Sequence, residues 1–336
     1  MIGLYNGVRK QSQEGSHRTT SECIITSFGE VQVKLRFALI GLLAVTGLMW
    51  AEDVDDSYAA LKDAVEKKDA DAVAKLGPAT AKLGAALAAK PQPSDASAVE
   101  NWKARVQFGK EVSSYAEYAL SAIAAGAEPA KTVELVDLLL DVNPKSQYLS
   151  TAAPSYLYAL GKTGGAAKQL TGAEKILKGA PANEDALYAL ASGYMSSRPA
   201  QAQAYATRLT ATMRAKAKPE GTSDADWDKK KSLYLGQGYY IAGATAAQTQ
   251  SWKDCDTNLR AALPYVGTNP SISGTVYFYL GLANYQLGKL TGDRPRMQEG
   301  QKFSEQSAAM AGPMQAQAQR NAALIKQELG APVVRR

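Results

Sequence analysis

Side chains able to do covalent or acid–base chemistry are few in this chain, and their types narrow what that chemistry could be. The 336 residues hold one histidine, His17, and two cysteines, Cys23 and Cys255. His17 and Cys23 both precede the basic-then-apolar stretch that begins at Lys34, so the chain beyond it has one cysteine and no histidine. A Cys/His zinc site, an imidazole base and a His-assisted nucleophile have no place there. The single Cys255 can close no internal disulfide. It stands at a small-residue position of an apolar stripe, the setting of a core thiol rather than a reactive one. Carboxylates such as Glu111, Glu117 and Glu134 are present, but none lies in a recognisable acid/base motif, and glycosidic cleavage needs two placed acids. Asp224, Asp226 and Asp228 run into Lys229-Lys230-Lys231; with Ser223 three residues before Asp226 this is a helix start, the acids favoured in its first turn, and an anion site is the lesser alternative. Gly161-Lys162-Thr163-Gly164-Gly165 lacks the strand and the spaced glycines of a P-loop and reads as a helix connection. No metal and no cofactor is expected.

The stretch after Lys34-Leu35-Arg36 is Phe37 to Trp50, uncharged and apolar, followed by Ala51 and then Glu52-Asp53. Basic residues, an apolar core and a small residue before an acidic start are the order of a secretory signal. As a helix the core would reach roughly 21 Å, short of the roughly 30 Å of hydrocarbon that a spanning helix crosses. Residues 34–51 are therefore expected to be a signal peptide cleaved after Ala51, with an uncleaved N-terminal anchor as the alternative. Residues 1–33 lack apolar periodicity and read as an over-extended gene start, with Val31 or Val33 as the initiator, or else as a disordered extension. Removing the first 51 residues takes away five basic and three acidic groups, and the formal charge falls from +6 to +4. Charges of both signs are interspersed, which is a solvated surface rather than a nucleic-acid footprint.

Ala and Leu are the commonest residues beyond Ala51, Lys and Gln are frequent, and no window keeps a period of two, so the chain reads as helical nearly throughout. Asn143-Pro144, Ala180-Pro181, Lys218-Pro219, Asn269-Pro270 and Gly312-Pro313 interrupt it at intervals of 37 to 51 residues. Proline disfavours a helical residue before it, and two helices with two turns need about this length. Trp252, Cys255, Leu259, Ala262 and Leu263 form one apolar stripe, and Thr132, Leu135, Val136, Leu139 and Leu140 another. Residues 52–97 read as a helical hairpin, breaking near Gly77-Pro78, plus a Pro/Ser-rich linker over 90–97. Residues 98–330 read as a repeat array, closed after Pro313 by a single helix with Met314, Ala318, Ile325 and Leu329 facing inward, and 331–336 as a tail. The expected fold is all-α, a solenoid of stacked antiparallel helix pairs with a C-terminal capping helix.

Leu235-Gly236-Gln237-Gly238-Tyr239-Tyr240 and Leu280-Gly281-Leu282-Ala283-Asn284-Tyr285 are 45 residues apart and nearly one phrase written twice. Together with Ala261-Ala262-Leu263 and a looser Leu190-Ala191…Tyr194, they resemble the tetratricopeptide repeat (TPR) family, whose first helix carries W-x-x-L-G-x-x-Y. The resemblance implies that Leu235, Gly236, Leu280 and Gly281 are packing residues where the second helix crosses. It implies a concave ligand face formed by Lys230, Leu233, Gln237, Tyr240, Phe278, Leu282 and Tyr285, with the tyrosines alternatively packing only between units. Residues 244–251 and 290–300 exceed the family's short turns and are either extra helical turns or loops forming a rim. The function expected from this is a non-enzymatic scaffold or adaptor, periplasmic or secreted, that binds a protein or peptide in a bacterial envelope, does not bind nucleic acid, and meets the membrane only through an uncleaved anchor. A carboxylate-dependent glycan enzyme and a self-associating structural module are the alternatives.

Overall fold

The computed structural model describes residues 46–266 and 270–330, of which 53–266 and 272–330 have described side chains. Among them there are twelve α-helices and no strand: α1 (Thr46–Glu66), α2 (Ala70–Ala88), α3 (Val99–Ala124), α4 (Pro129–Val142), α5 (Leu149–Gly179), α6 (Glu184–Tyr194), α7 (Pro199–Ala215), α8 (Asp224–Gln248), α9 (Trp252–Val266), α10 (Pro270–Thr291), α11 (Arg294–Ala308) and α12 (Gln315–Gly330). Residues 1–45, and with them most of the expected signal, lie outside the described part. No described helix is long and apolar enough to cross a membrane.

Local chemistry explains where the helices begin. The side chains of Asp69, Asn183, Ser223 and Asp293 each accept a backbone N–H of the following first turn, satisfying donors that the helix itself leaves open. The Ser223 hydroxyl also donates to Asp226 at 2.7 Å, so the acidic run starts a helix as its spacing predicts. Pro129 and Pro199 open α4 and α7, where a missing N–H costs nothing. The expected stops at Pro144, Pro181 and Pro219 all fall between helices. Gly165 bends α5 into two arms, 149–164 and 166–179, with φ 71° and ψ −171°, a backbone region that only glycine enters without strain. The Gly161–Gly165 segment is thus a helix connection, as its sequence predicts.

One expectation about a turn changes, and of two alternatives left open the helical one holds. The first hairpin does not break at Gly77-Pro78: the turn lies at residues 67–69, with Lys68 at φ 53°, and Pro78 is inside α2. Gly77 is there for packing, since a Cβ on it would sit 2.9 Å from the Leu120 side chain, and the proline costs one helical hydrogen bond on an otherwise well-packed helix. The long connections near residues 244–251 and 290–300 are helix, not rim loops. α8 continues to Gln248 with Ala244, Thr245, Ala246 and Ala247 buried, and only Gly292 and Asp293 separate α10 from α11. Alanine-rich sequence with burial on one side extends a helix rather than ending it.

Helices pack in chain order, each against the next, and α3 with α5, α6 with α8, α8 with α10 and α10 with α12 also meet. The stripes read from sequence are the contacts: Leu135, Val136 and Leu139 are fully buried, as are Cys255, Leu259 and Ala262. Burial pushes the Cys255 thiol up to about 12, which keeps it protonated and inert. Ala318 and Ile325 anchor α12 while its remaining positions stay open or half-open. Helices approach most closely at glycines. Gly84 on α2 faces Gly109 on α3, and a Cβ on either would lie under 3 Å from the other's backbone oxygen.

Candidate functional site

Five helices carry the same four-residue register. Tyr118-Ala119-Leu120-Ser121 is on α3, Tyr158-Ala159-Leu160-Gly161 on the first arm of α5 and Tyr188-Ala189-Leu190-Ala191 on α6. Leu233-Tyr234-Leu235-Gly236 on α8 and Phe278-Tyr279-Leu280-Gly281 on α10 complete the set. The third residue is a buried leucine in every case. On α8 and α10 the fourth is glycine for a packing reason: a Cβ on Gly236 would lie 2.7 Å from the Tyr265 Cβ on α9, and one on Gly281 would lie 3.0 Å from the Gly300 carbonyl oxygen on α11. With third and fourth positions pinned, the 100° turn per residue gives the first position one fixed direction on each helix.

That first position is aromatic or large apolar on all five helices, and on three it stands in the open. Tyr158 is 61% exposed, Leu233 59% and Tyr118 44%, and these are among the few large apolar side chains on the described surface. Tyr188 is half-buried, its ring edge-on to that of Tyr234 at 5.8 Å, and Phe278 is 8% exposed. Tyr118 has Tyr148 on one side and Tyr115 on the other, each at 5.8 Å, and the rings continue from Tyr115 through Tyr58 to Phe108 at 5.2 and 5.9 Å. Lys162 lies over the Tyr158 ring at 5.4 Å. Exposed aromatic faces with hydroxyl tips offer stacking area together with hydrogen bonding, at little entropy cost.

The residues singled out from sequence fall on two sides of this row. Leu233 belongs to it, and Gln237 and Leu282 stand half-buried one turn further along their helices. Tyr240 is half-buried between two core clusters, and burial raises its phenol. Lys230 is engaged rather than free: its ammonium is 2.8 Å from the Glu184 carboxylate on α6. Tyr285 is buried and donates to Glu328 on α12 at 2.7 Å, with the Lys289 ammonium 3.0 Å from the same hydroxyl. Its face is therefore taken up by the last helix.

Sequence reasoning missed Tyr118, Tyr158 and Tyr188. The signal was available in the triple repetition of Tyr-Ala-Leu followed by Ser, Gly or Ala, but Leu-Gly and its following tyrosines are the more conspicuous pattern. It also missed a cluster of buried charge at the start of α6. Glu184 is held between Lys216 at 2.6 Å and Lys230 at 2.8 Å. Burial pushes its carboxyl up, but the two lysines outweigh this and leave it below the ordinary carboxylate value. Its neighbour Asp185 accepts the Tyr234 hydroxyl, and there burial wins, leaving the carboxyl raised.

The acids considered for catalysis each have a partner of their own. Glu111 accepts an amide from Gln107, Glu117 one from Asn143, and Glu134 bonds Lys131. Glu111 and Glu117 are six residues apart on α3, about 240° around the helix, so they point to different sides.

No family model matches the chain, and neither the curated proteins nor the solved structures compared with it give a match.

Proposed function

We propose that this chain is a TPR-like solenoid that acts as a non-enzymatic scaffold or adaptor, exported to the periplasm or beyond, and holds an extended segment of a partner protein along one face. Consecutive helices that also touch their next-but-one neighbours, a register shared by α3, α5, α6, α8 and α10, and a lone last helix with a largely polar outside all support a stacked array of pairs. In such an array the register-sharing helices line one surface. The observation that carries the binding reading is the exposure of Tyr118, Tyr158 and Leu233 at the same register position on three of the five helices. Apolar and aromatic side chains left in water at a recurring position are a cost that a partner relieves.

The mild net charge of +6 over the whole chain, with both signs interspersed, fits a polypeptide partner better than nucleic acid. The order of Lys34 to Asp53 supports export. The test is a crosslinking pulldown from the native envelope with Tyr158→Ser/Leu233→Ser, set beside Lys168→Glu/Lys302→Glu on second-helix surfaces. Recovery of the partner should fall at least tenfold for the first pair, as for loss of interface anchors worth about 1.4 kcal/mol or more, and stay unchanged for the second. Equal recovery from both would overturn the reading. Lys230→Glu adds a finer check. Because Lys230 is already paired with Glu184, its reversal should lower stability and leave partner recovery from the folded fraction intact.

A further inference from the structure

The rings around Tyr118 form a ladder whose shape selects what can lie on it. From Tyr148, just before α5, the ladder passes Tyr118 and Tyr115 on α3 and Tyr58 on α1, and it ends at Phe108 on α3. Neighbouring ring planes meet at 49° to 86°, so the surface is a set of ridges rather than a flat platform. A sugar or a nucleic-acid base stacks on an open ring face. Here Lys62 lies over the Tyr58 ring at 4.7 Å and Arg105 over the Phe108 ring at 5.3 Å. Successive rings are 5.2 to 5.9 Å apart, close to the roughly 6 Å that two residues of a polyproline II helix rise.

Hydrogen-bonding groups on the ladder are donors without acceptors. Tyr148 shares a hydrogen bond of 3.3 Å with Ser114, but the Tyr58, Tyr115 and Tyr118 hydroxyls bond to nothing among the described residues. Tyr118 is exposed, and the oxygens of the half-buried Tyr58 and Tyr115 are not enclosed, so all three can meet a ligand. Burial raises the Tyr115 phenol, with Tyr58, Tyr118 and Glu66 adding to it, so it keeps its proton. Lys62 pairs with no carboxylate among the described residues, and Glu111 on the same flank of α3 is already engaged by Gln107 at 3.0 Å. A proline-rich segment matches such a face. Proline has no N–H, its carbonyls carry no internal partner in the polyproline II helix, and its ring is apolar. A glycan or a β-strand would bring as many donors as acceptors.

We infer that the ladder from Tyr148 to Phe108 seats a proline-rich segment in the polyproline II conformation, its rings between the ridges and its carbonyls on the Tyr58, Tyr115 and Tyr118 hydroxyls. This names the chemistry of the partner segment and rests on the partner-face reading, since ladder and row meet at Tyr118. Fluorescence anisotropy of the full chain with labelled decaproline tests it, beside a labelled glycine–serine decapeptide and competition by an N-acetylglucosamine hexamer. Decaproline should bind at least tenfold more tightly than the glycine–serine peptide, and the hexamer should not displace it. Tyr118→Ser should weaken binding at least tenfold, as loss of an aromatic anchor does. Tyr115→Phe/Tyr118→Phe keeps the rings and the melting temperature and should weaken it about tenfold, as loss of two hydrogen bonds does. No decaproline binding at about 1 mM, equal affinity for the glycine–serine peptide, displacement by the hexamer, or full affinity in the Phe pair would each overturn the inference. If decaproline stays unbound while Tyr158→Ser/Leu233→Ser still loses its partner in the pulldown, the proline-rich segment is ruled out and the partner face stands.

Discussion

Asp256→Ala should lower the unfolding free energy by about 3 kcal/mol, because it removes the one acid to which three donors on three helices converge. Asp256 on α9 accepts Arg260 Nε at 2.9 Å, Asn284 Nδ2 from α10 at 2.6 Å and Arg296 Nη2 from α11 at 3.1 Å. The Asn284 Oδ1 in turn accepts from both guanidiniums. Asp256 and Asn284 are buried, whereas the two arginines keep over a third of their side-chain surface in water. That exposure holds the loss to the lower end of the roughly 3–5 kcal/mol seen when a buried pair loses one partner. Arg260 retains Glu299 at 2.8 Å, Arg296 retains the Asn284 Oδ1 and the Asn284 amide retains the Leu280 carbonyl oxygen, but each loses its bond to the buried carboxylate. Urea denaturation should show the midpoint falling with the slope unchanged. A loss under about 1 kcal/mol would mean that the three helices are held by their apolar contacts alone.

Gly109→Ala should cost a similar amount at the other end of the chain. A Cβ there would sit 2.6 Å from the Gly84 carbonyl oxygen, 2.7 Å from the Ala88 nitrogen and 3.0 Å from the Leu87 Cβ. All three belong to α2 itself, so no side chain can rotate away and α2 must separate from α3. Overpacking of this kind costs about 1–3 kcal/mol, and backbone on both sides puts this site at the upper end. Gly84→Ala meets the Gly109 oxygen and the Ser113 nitrogen at 2.7 Å, so each substitution forces the same separation. The double variant should therefore lose far less than the two single losses combined, with a coupling of about 1 kcal/mol or more by thermal or urea denaturation. Simple additivity would show that the two glycines are accommodated separately.

Helix boundaries were legible because prolines and capping residues act locally. Asn143-Pro144, Ala180-Pro181 and Ser223 mark their termini through their own backbone chemistry. Gly77-Pro78 misled for the same reason, since its role is set by Leu120, a residue on another helix. The candidate face was legible in part. Leu-Gly led to Leu233, yet the groups that occupy Lys230 and Tyr285 are Glu184 and Glu328, far along the chain and visible only once the helices are stacked. A short pattern shows that an element recurs, whereas the partner of a charged or hydroxyl side chain is fixed by packing between elements.

The row running through Tyr118, Tyr158 and Leu233 is the heart of the functional proposal, and photo-crosslinking tests it most directly. Benzoylphenylalanine placed singly at these three positions, and at Lys168 and Lys302 as exposed controls on second helices, would be activated in intact envelopes. The expected result is one common adduct from all three row positions and none from the controls. Adducts confined to the controls, or a different species at each row position, would contradict a single partner segment lying along that face.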